Sequence, residues 1–453
     1  MDRIHLIAIG GSAMHNLAIA LHLKGYQVSG SDDEIFEPSK GRLKKHNLLP
    51  DGMGWDENRI HTKLDAVIVG MHARQDNPEL LKAKRLKLPI FSYPEFLYNQ
   101  AKEKKRLVIC GSHGKTTITA MILHACKELN KQVDYMVGAQ LSGYDCMVSL
   151  TDANTMVLEG DEYLSSPDDL RPKFMHYQSH VALLSGIAWD HVNVFPSYEK
   201  YLAQFDMLLA QLSKNQSTLI YNAEDEKILK LIKVYPNLTS KAYEKPSSRI
   251  HQDQVEIKYN QQWYPVGVFG NHNYLNMAGA QLLCEEMGIS GEQFYRTMLN
   301  FSGASNRLEK IIDTSELTIY KDFAHSPSKL KATTEAFKHR FPKHPIVACM
   351  ELHTFSSLNK DFLAQYKGAL AQADLPIVYF NPEAVKHKKL PTLTIEDVKS
   401  GFDQDNLIVF TSAKELAAHL QELATQYQHF LMMSSGNFGG INLKELAKKM
   451  SVK

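Results

Sequence analysis

Apolar residues along this chain come in short blocks, and each block is followed by a stretch of helical period. Residues 4–9 form one such block, closed by Gly10-Gly11, and a helical pattern runs from 13 to 23 until Gly25 stops it. A second strand is expected at 27–31, ending in Ser31-Asp32, and a third at 66–69, ending at Gly70. Apolar strands alternating with amphipathic helices predict a parallel sheet with helices on both faces. Such sheets bind ligands beyond the carboxyl ends of their strands. A charged stretch at 101–106 reads as a linker, after which the pattern restarts with strands at 107–110, 156–158 and 181–184. Residues 235–265 are polar and irregular, with Val255, Ile257 and Tyr259 alternating, so the late part of this second section is expected to be partly antiparallel. A third set of strands is expected at 317–320, 346–350, 377–380, 407–410 and 430–433. The prediction is an α/β chain of three domains: an N-terminal Rossmann-like domain (1–102), a central phosphate-loop domain (103–303) and a C-terminal Rossmann-like domain (304–453). The 453 residues suit about three domains at ~150 residues each.

Composition narrows the partners. The formal net charge is +1, so no strong field selects nucleic acid or an anionic membrane. Short basic runs at 102–106 and 386–389 read as solvated faces. No run of about 18 apolar residues is present for membrane insertion. The sequence opens directly on a strand-like block, without a signal-peptide pattern. Cys110, Cys126, Cys146, Cys284 and Cys349 make no C-x-x-C pair and lie mostly in apolar runs, which predicts free thiols in a reducing compartment. The expectation is a cytoplasmic protein, monomeric or weakly dimeric.

The chemistry begins where the strand at 107–110 runs into Gly111, Ser112, His113, Gly114, Lys115, Thr116 and Thr117, and then into a helix. Glycines let backbone N–H groups approach phosphate oxygens, and the helix N-terminus adds partial positive charge. Lys115 can reach the outer phosphates of ATP, and Thr116 can ligate Mg²⁺. The full pattern wants one more glycine at position 109, which is Ile109 here. A nucleotide-binding module without chemistry would show the same loop. Phosphoryl transfer needs further metal ligands. Glu159 directly follows the strand at 156–158, and Asp190-His191 follows the next one. Taken singly, Glu159 reads equally as a helix-capping acid and His191 as a surface histidine.

Taken together, the chain resembles the Mur ligases, the ATP-dependent ligases of peptidoglycan precursors. The resemblance rests on GSHGKTT (111–117), EGDEY (159–163), WDH (189–191), GNHNYLN (270–276), NRLE (306–309), YKDFAHSP (320–327) and SSGNFGGI (434–441). It implies that Lys115 and the loop hold the ATP phosphates, and that Thr116 and Glu159 share one Mg²⁺ while His191 serves a second. It also implies that His272, Asn273 and Asn276 lie on the adenine side, that Arg307 contacts the γ-phosphate, and that Asp322 meets the ribose with His325 close by. Lys115, Glu159, His191 and Arg307 would then form the catalytic set. In the first domain Gly11, Ser12, Ala13, Met14, Ser31, Asp32, Gly70 and Asn77 resemble a UDP-sugar site, with UDP-N-acetylmuramate as the implied acceptor of a peptide or amino-acid amine. Ala8 and His15 stand where the family commonly has glycines.

Two branches of the family use that acceptor: one adds L-alanine and the other a recycled tripeptide, L-alanyl-γ-D-glutamyl-meso-diaminopimelate. The long stretch from 159 to 191 and the ending at 433–441 are more similar to the tripeptide branch. Residues 352–358 lack the arginines of the alanine branch and offer His353, Thr354, Ser356 and Ser357 instead. Ser356 and Ser357 read equally as caps for a helix starting near Asn359, and the glycines at 436–440 are expected to leave room beside the third sheet. Ser185, Asn306 and Ser326 depart from the tripeptide branch. Other classes fit less well. A nicotinamide oxidoreductase would not need residues 111–117, a folate-type glutamate ligase would lack the first domain, and a non-catalytic sensor would not need Lys115, Glu159, His191 and Arg307 together.

Overall fold

The computed structural model describes residues 2–71, 73–166, 169–189, 194–252, 254–303 and 308–451. Contacts group the chain into two units: residues up to 187, 198–244 and 279–294 in one, and 188–197, 245–278 and 295 onward in the other.

The first unit holds two mainly parallel sheets. In the N-terminal sheet Arg3–Ile7 lies between Gln27–Ser31 and Ala66–Val69, and Ile90–Ser92 forms the far edge. Helix Ser12–Leu23 follows the first strand, and Gly25, with φ +99°, takes the chain out of it. Ala8 itself stands at φ +66°, the left-handed region that favours glycine.

The larger sheet has seven strands, in the order Ser240–Tyr243, Thr218–Asn222, Val181–Leu184, Lys105–Cys110, Thr155–Glu159, Asp134–Met136 and Val148–Ser149. All neighbours are parallel except the last pair. Lys105–Cys110 is central, and Leu107, Val108, Ile109 and Cys110 are fully buried, which is why this strand reads as one apolar block. From it the chain crosses first to one side of the sheet and later to the other. That reversal opens a crevice at the strand's carboxyl end, where α/β sheets take ligands.

Gly160 closes the neighbouring strand against this one. A Cβ there would stand 2.7 Å from both Cys110 Sγ and Val108 Cγ1. Gly160→Ala is therefore expected to destabilise the protein by ~1–3 kcal/mol through overpacking. An unchanged denaturant midpoint would show that the two strand ends part freely.

The second unit contains the predicted antiparallel section, Ser248–His251, Gln254–Tyr259 and Gln262–Pro265. It is grouped with the C-terminal residues and not with the central sheet. The C-terminal sheet runs Glu309–Asp313, Thr318–Asp322, His429–Met433, Ile346–Leu352, Leu375–Phe380 and Ile408–Phe410, parallel except at the first pair. Ile346–Leu352 is buried along its whole length.

Candidate active site

Gly111 and Gly114 adopt φ +122° and +80°, and each needs the freedom of glycine. A Cβ on Gly111 would also collide with the Ser185 hydroxyl and reach 3.0 Å from the Gly186 nitrogen. The loop is tied to the end of the next strand. Ser112 N donates to Gly186 O (2.9 Å), Ser185 N donates to Cys110 O (3.1 Å), and the Ser185 hydroxyl donates to His113 O. Ser185, which departs from the pattern of the tripeptide branch, thus braces the loop. Helix Lys115–Glu128 begins directly at Gly114, and no side chain caps it. Its first-turn N–H groups therefore suit an anion.

Lys115 Nζ donates to Gly111 O (2.5 Å) and to Glu162 Oε2 (2.6 Å). The Tyr201 hydroxyl donates to the other oxygen of Glu162 (2.9 Å). Burial works against the charge of Lys115, but Glu162 and Asp161 outweigh it and hold its pKa above the usual lysine value. At the next residue, Thr116 Oγ1 donates to Glu159 Oε1 (2.8 Å), and Gly138 N donates to Glu159 Oε2 (2.8 Å). Burial pushes the Glu159 carboxyl up, against the Gly138 amide, Lys115 and Thr116. A hydroxyl and a carboxylate meeting at the mouth of a phosphate loop are oxygen ligands suited to Mg²⁺. Thr117 is buried on the same helix. His191 and Arg307 lie outside the described residues.

Glu162 was not singled out from the sequence. The residues after it, part of the long stretch 159–191, form the antiparallel pair Leu164–Ser166 and Asp169–Pro172 followed by helix Lys173–His176. Lys173 Nζ pairs with Asp161 (2.8 Å), fastening this insertion beside the loop. Glu95, Asp169 and His176 also come together. Arg171 already clasps both oxygens of Asp169 (2.9 and 2.6 Å), so the cluster is a polar tie between the insertion and helix Tyr93–Ala101.

In the first sheet Asp32 is buried and accepts from Gly10 N (2.7 Å) and Asp33 N (3.0 Å), and burial raises its carboxyl to about 6. Ser31 donates its hydroxyl to Glu79, which also meets His5 (3.2 Å). Asn77 Oδ1 accepts from Leu80 N (3.1 Å) and so caps helix Pro78–Arg85. Gly11 N donates to Ala8 O, and Ser12, Ala13 and Met14 open the first helix. Gly70 lies close under them, because a Cβ there would come 3.3 Å from the Met14 side chain. His15 Nδ1 lies 2.9 Å from Gly11 O and 3.0 Å from Ser39 Oγ. The segment is therefore braced by histidine where the family has glycine.

In the second unit, His272, Asn273 and Asn276 sit at the start of helix Asn271–Glu285. The Asn273 side chain donates to Phe269 O (2.8 Å), while His272 and Asn276 are half-buried. Asp322 ends its strand and accepts from Leu308 N (2.7 Å), Ala324 N (2.7 Å) and Thr333 Oγ1 (3.3 Å). His325 Nδ1 lies 2.8 Å from Phe323 O.

One expectation for the amine segment holds in part and one needs correction. Gly436 is closed in, since a Cβ there would stand 2.7 Å from the His353 ring and 2.8 Å from Glu351 Oε2, but a Cβ on Gly440 would meet nothing within 4 Å, and a depression of about 260 Å³ is lined by Gly436, Asn437 and Phe438. The cap of helix Lys360–Tyr366 is Asn359, whose Oδ1 accepts from Asp361 N. Ser357 instead turns back onto Thr354, with the two hydroxyls 2.9 Å apart.

Sequence profiles of known families bear on this arrangement. The profile for the Mur ligase family, catalytic domain, matches residues 3–105, the Mur ligase middle domain matches 109–284, and the Mur ligase glutamate ligase domain matches 306–436. The chain belongs to the Mur ligase family. As a Mur ligase it is an enzyme, an ATP-dependent amide-bond ligase of peptidoglycan synthesis. It is 28% identical over 392 residues to a UDP-N-acetylmuramate–L-alanine ligase of Caldicellulosiruptor bescii, covering 83% of each chain. It is 25% identical to the UDP-N-acetylmuramate–L-alanyl-γ-D-glutamyl-meso-2,6-diaminoheptandioate ligase of Haemophilus influenzae, covering 99% of each. The crystal structure of the UDP-N-acetylmuramate–alanine ligase of Thermotoga maritima superposes with TM-score 0.71 at 20% identity, over 99% of this Mur ligase and 98% of that chain. No helix among the described residues is long and apolar enough to cross a membrane.

Proposed function

We propose that this Mur ligase joins UDP-N-acetylmuramate to the free tripeptide L-alanyl-γ-D-glutamyl-meso-diaminopimelate, the reaction named for the Haemophilus influenzae relative. Its domains would then divide at 102/103 and 303/304, with the UDP-sugar on the first. The observation that carries this reading is the absence of arginine from residues 352–358, where His353, Thr354, Ser356 and Ser357 stand. A single amino acid offers little besides its carboxylate to grip, and a bidentate arginine suits that task. Here the segment after Ile346–Leu352 presents His353 beside Glu351, with Thr354 and Ser357 bonded to each other. A longer peptide spreads its binding over many weaker contacts. A depression of about 260 Å³ near the end of the C-terminal sheet brings Lys321, Lys444 and Glu309 together, which suits the carboxylates and ammonium of such a peptide.

In the reaction the muramate carboxylate takes the γ-phosphoryl group of ATP, giving an acyl phosphate and ADP. The amine then attacks, and the tetrahedral adduct expels phosphate. Lys115 and the loop amides would hold the phosphates and offset their repulsion of the incoming carboxylate. One Mg²⁺, held by Thr116 and Glu159, and a second at His191 would supply further positive charge. Arg307 is assigned to the γ-phosphate. His272, Asn273 and Asn276 are assigned to the adenine side. Asp322 has three of its roughly four lone-pair directions filled by protein donors, which leaves one for a ribose hydroxyl.

The second reading is an L-alanine ligase, favoured by the Caldicellulosiruptor bescii relative and by several others of that name at 24–28% identity. Competition between tripeptide and L-alanine at equal concentration, read as ADP release and product mass, separates the two. The tripeptide is expected to show the higher kcat/KM. A higher value for L-alanine makes this the alanine-adding enzyme.

A further inference from the structure

We propose that Glu162 is a positioning residue for the phosphate lysine, aimed by the Tyr201 hydroxyl so that Lys115 points one N–H bond into the phosphate loop. The inference rests on the reading of Lys115 as the group that meets the ATP phosphates.

A lysine ammonium has three N–H donors. One goes to Gly111 O (2.5 Å) and one to Glu162 Oε2 (2.6 Å). Both acceptors are themselves fixed. Gly111 is locked by its positive φ and by its fit against Ser185 and Gly186. The Glu162 side chain is fully buried, and its second oxygen is held by Tyr201 (2.9 Å). Tyr201 is fully buried in turn, with its ring edge-on to Phe205 at 5.2 Å. With two of its hydrogens held by rigid partners, the ammonium has a set direction for the third. A free lysine would spend rotamer freedom to reach the same pose. The arrangement links the loop helix, the end of the strand Thr155–Glu159 and helix Tyr198–Lys214 through one carboxylate.

The test is binding of the non-hydrolysable analogue AMP-PNP with Mg²⁺ by calorimetry, together with KM for each substrate. Glu162→Ala is expected to weaken AMP-PNP binding about tenfold, the scale of one lost charge-assisted bond, with a matching rise in KM for ATP. KM for UDP-N-acetylmuramate should stay unchanged. Glu162→Gln keeps an oxygen for Lys115 and a polar group for Tyr201, and is expected to restore most of the loss. Tyr201→Phe leaves the ion pair and removes the hydroxyl that aims it, so it should weaken binding in the same direction by about threefold, and it serves alone if Glu162→Ala does not fold. Tighter AMP-PNP binding in any of these variants would overturn the proposal, because Glu162 would then compete with phosphate. A parallel rise in every KM would overturn it as well, marking a merely structural residue. Lys115→Ala separates the two levels. If that variant binds AMP-PNP normally, the phosphate-lysine reading has failed; if it does not and the Glu162 and Tyr201 variants bind normally, only the positioning role has.

Discussion

Lys115→Ala is expected to lower kcat/KM for ATP by about 10³-fold or more, on the scale of deleting a preorganised electrostatic stabiliser from an active site. Two effects add. The loop loses its ammonium at the point where phosphate and carboxylate charge converge. Glu162, fully buried, is then left beside the polyphosphate without its lysine. Removing one partner of a buried ion pair typically costs ~3–5 kcal/mol, so the variant should also melt at lower temperature. The double variant Lys115→Ala with Glu162→Gln distinguishes the two effects. It should recover much of the thermal stability and none of the activity. ADP release within tenfold of the unmodified enzyme in either variant would remove Lys115 from the mechanism.

Strands buried on both faces were the plainest to read from the sequence, because they leave unbroken apolar blocks. Lys105–Cys110 and Ile346–Leu352 are of this kind. Polar edge strands left no such mark. Ser240–Tyr243 is exposed at all but its last residue, and Glu309–Asp313 has no fully buried position. The antiparallel ribbon was legible in the alternation of Val255, Ile257 and Tyr259, but its grouping with the C-terminal unit depends on contacts that no local pattern encodes. Within the site, the meeting of Thr116 with Glu159 could be anticipated, since Glu159 ends a strand and Thr116 follows the loop that leaves its parallel neighbour. The pairing of Lys115 with Glu162 joins positions 47 apart, and Glu162 looked like one acid in an acidic run. Likewise nothing in the sequence showed that Asp322 would spend its oxygens on Leu308 and Ala324.

Glu159→Gln should separate charge from shape at the mouth of the loop. The carboxylate accepts from Gly138 N and from the Thr116 hydroxyl, both at 2.8 Å. A glutamine can turn its oxygen to Gly138 and donate its amide to Thr116, whose hydroxyl rotates to accept. The packing then survives. Two things needed by a cation are lost, the negative charge and the Thr116 lone pair now occupied by the amide. Ligation is expected to fall by about 10²-fold or more at fixed Mg²⁺ and to recover in part as Mg²⁺ is raised. Stability without Mg²⁺ should hold or rise, because burial disfavours the ionised carboxylate at this position and the neutral amide removes that cost. The measurements are a thermal melt and a Mg²⁺ titration of ADP release. If the variant ligates at the unmodified rate in limiting Mg²⁺, Glu159 is not a metal ligand, and its burial serves only to hold the Gly138 turn against the phosphate loop.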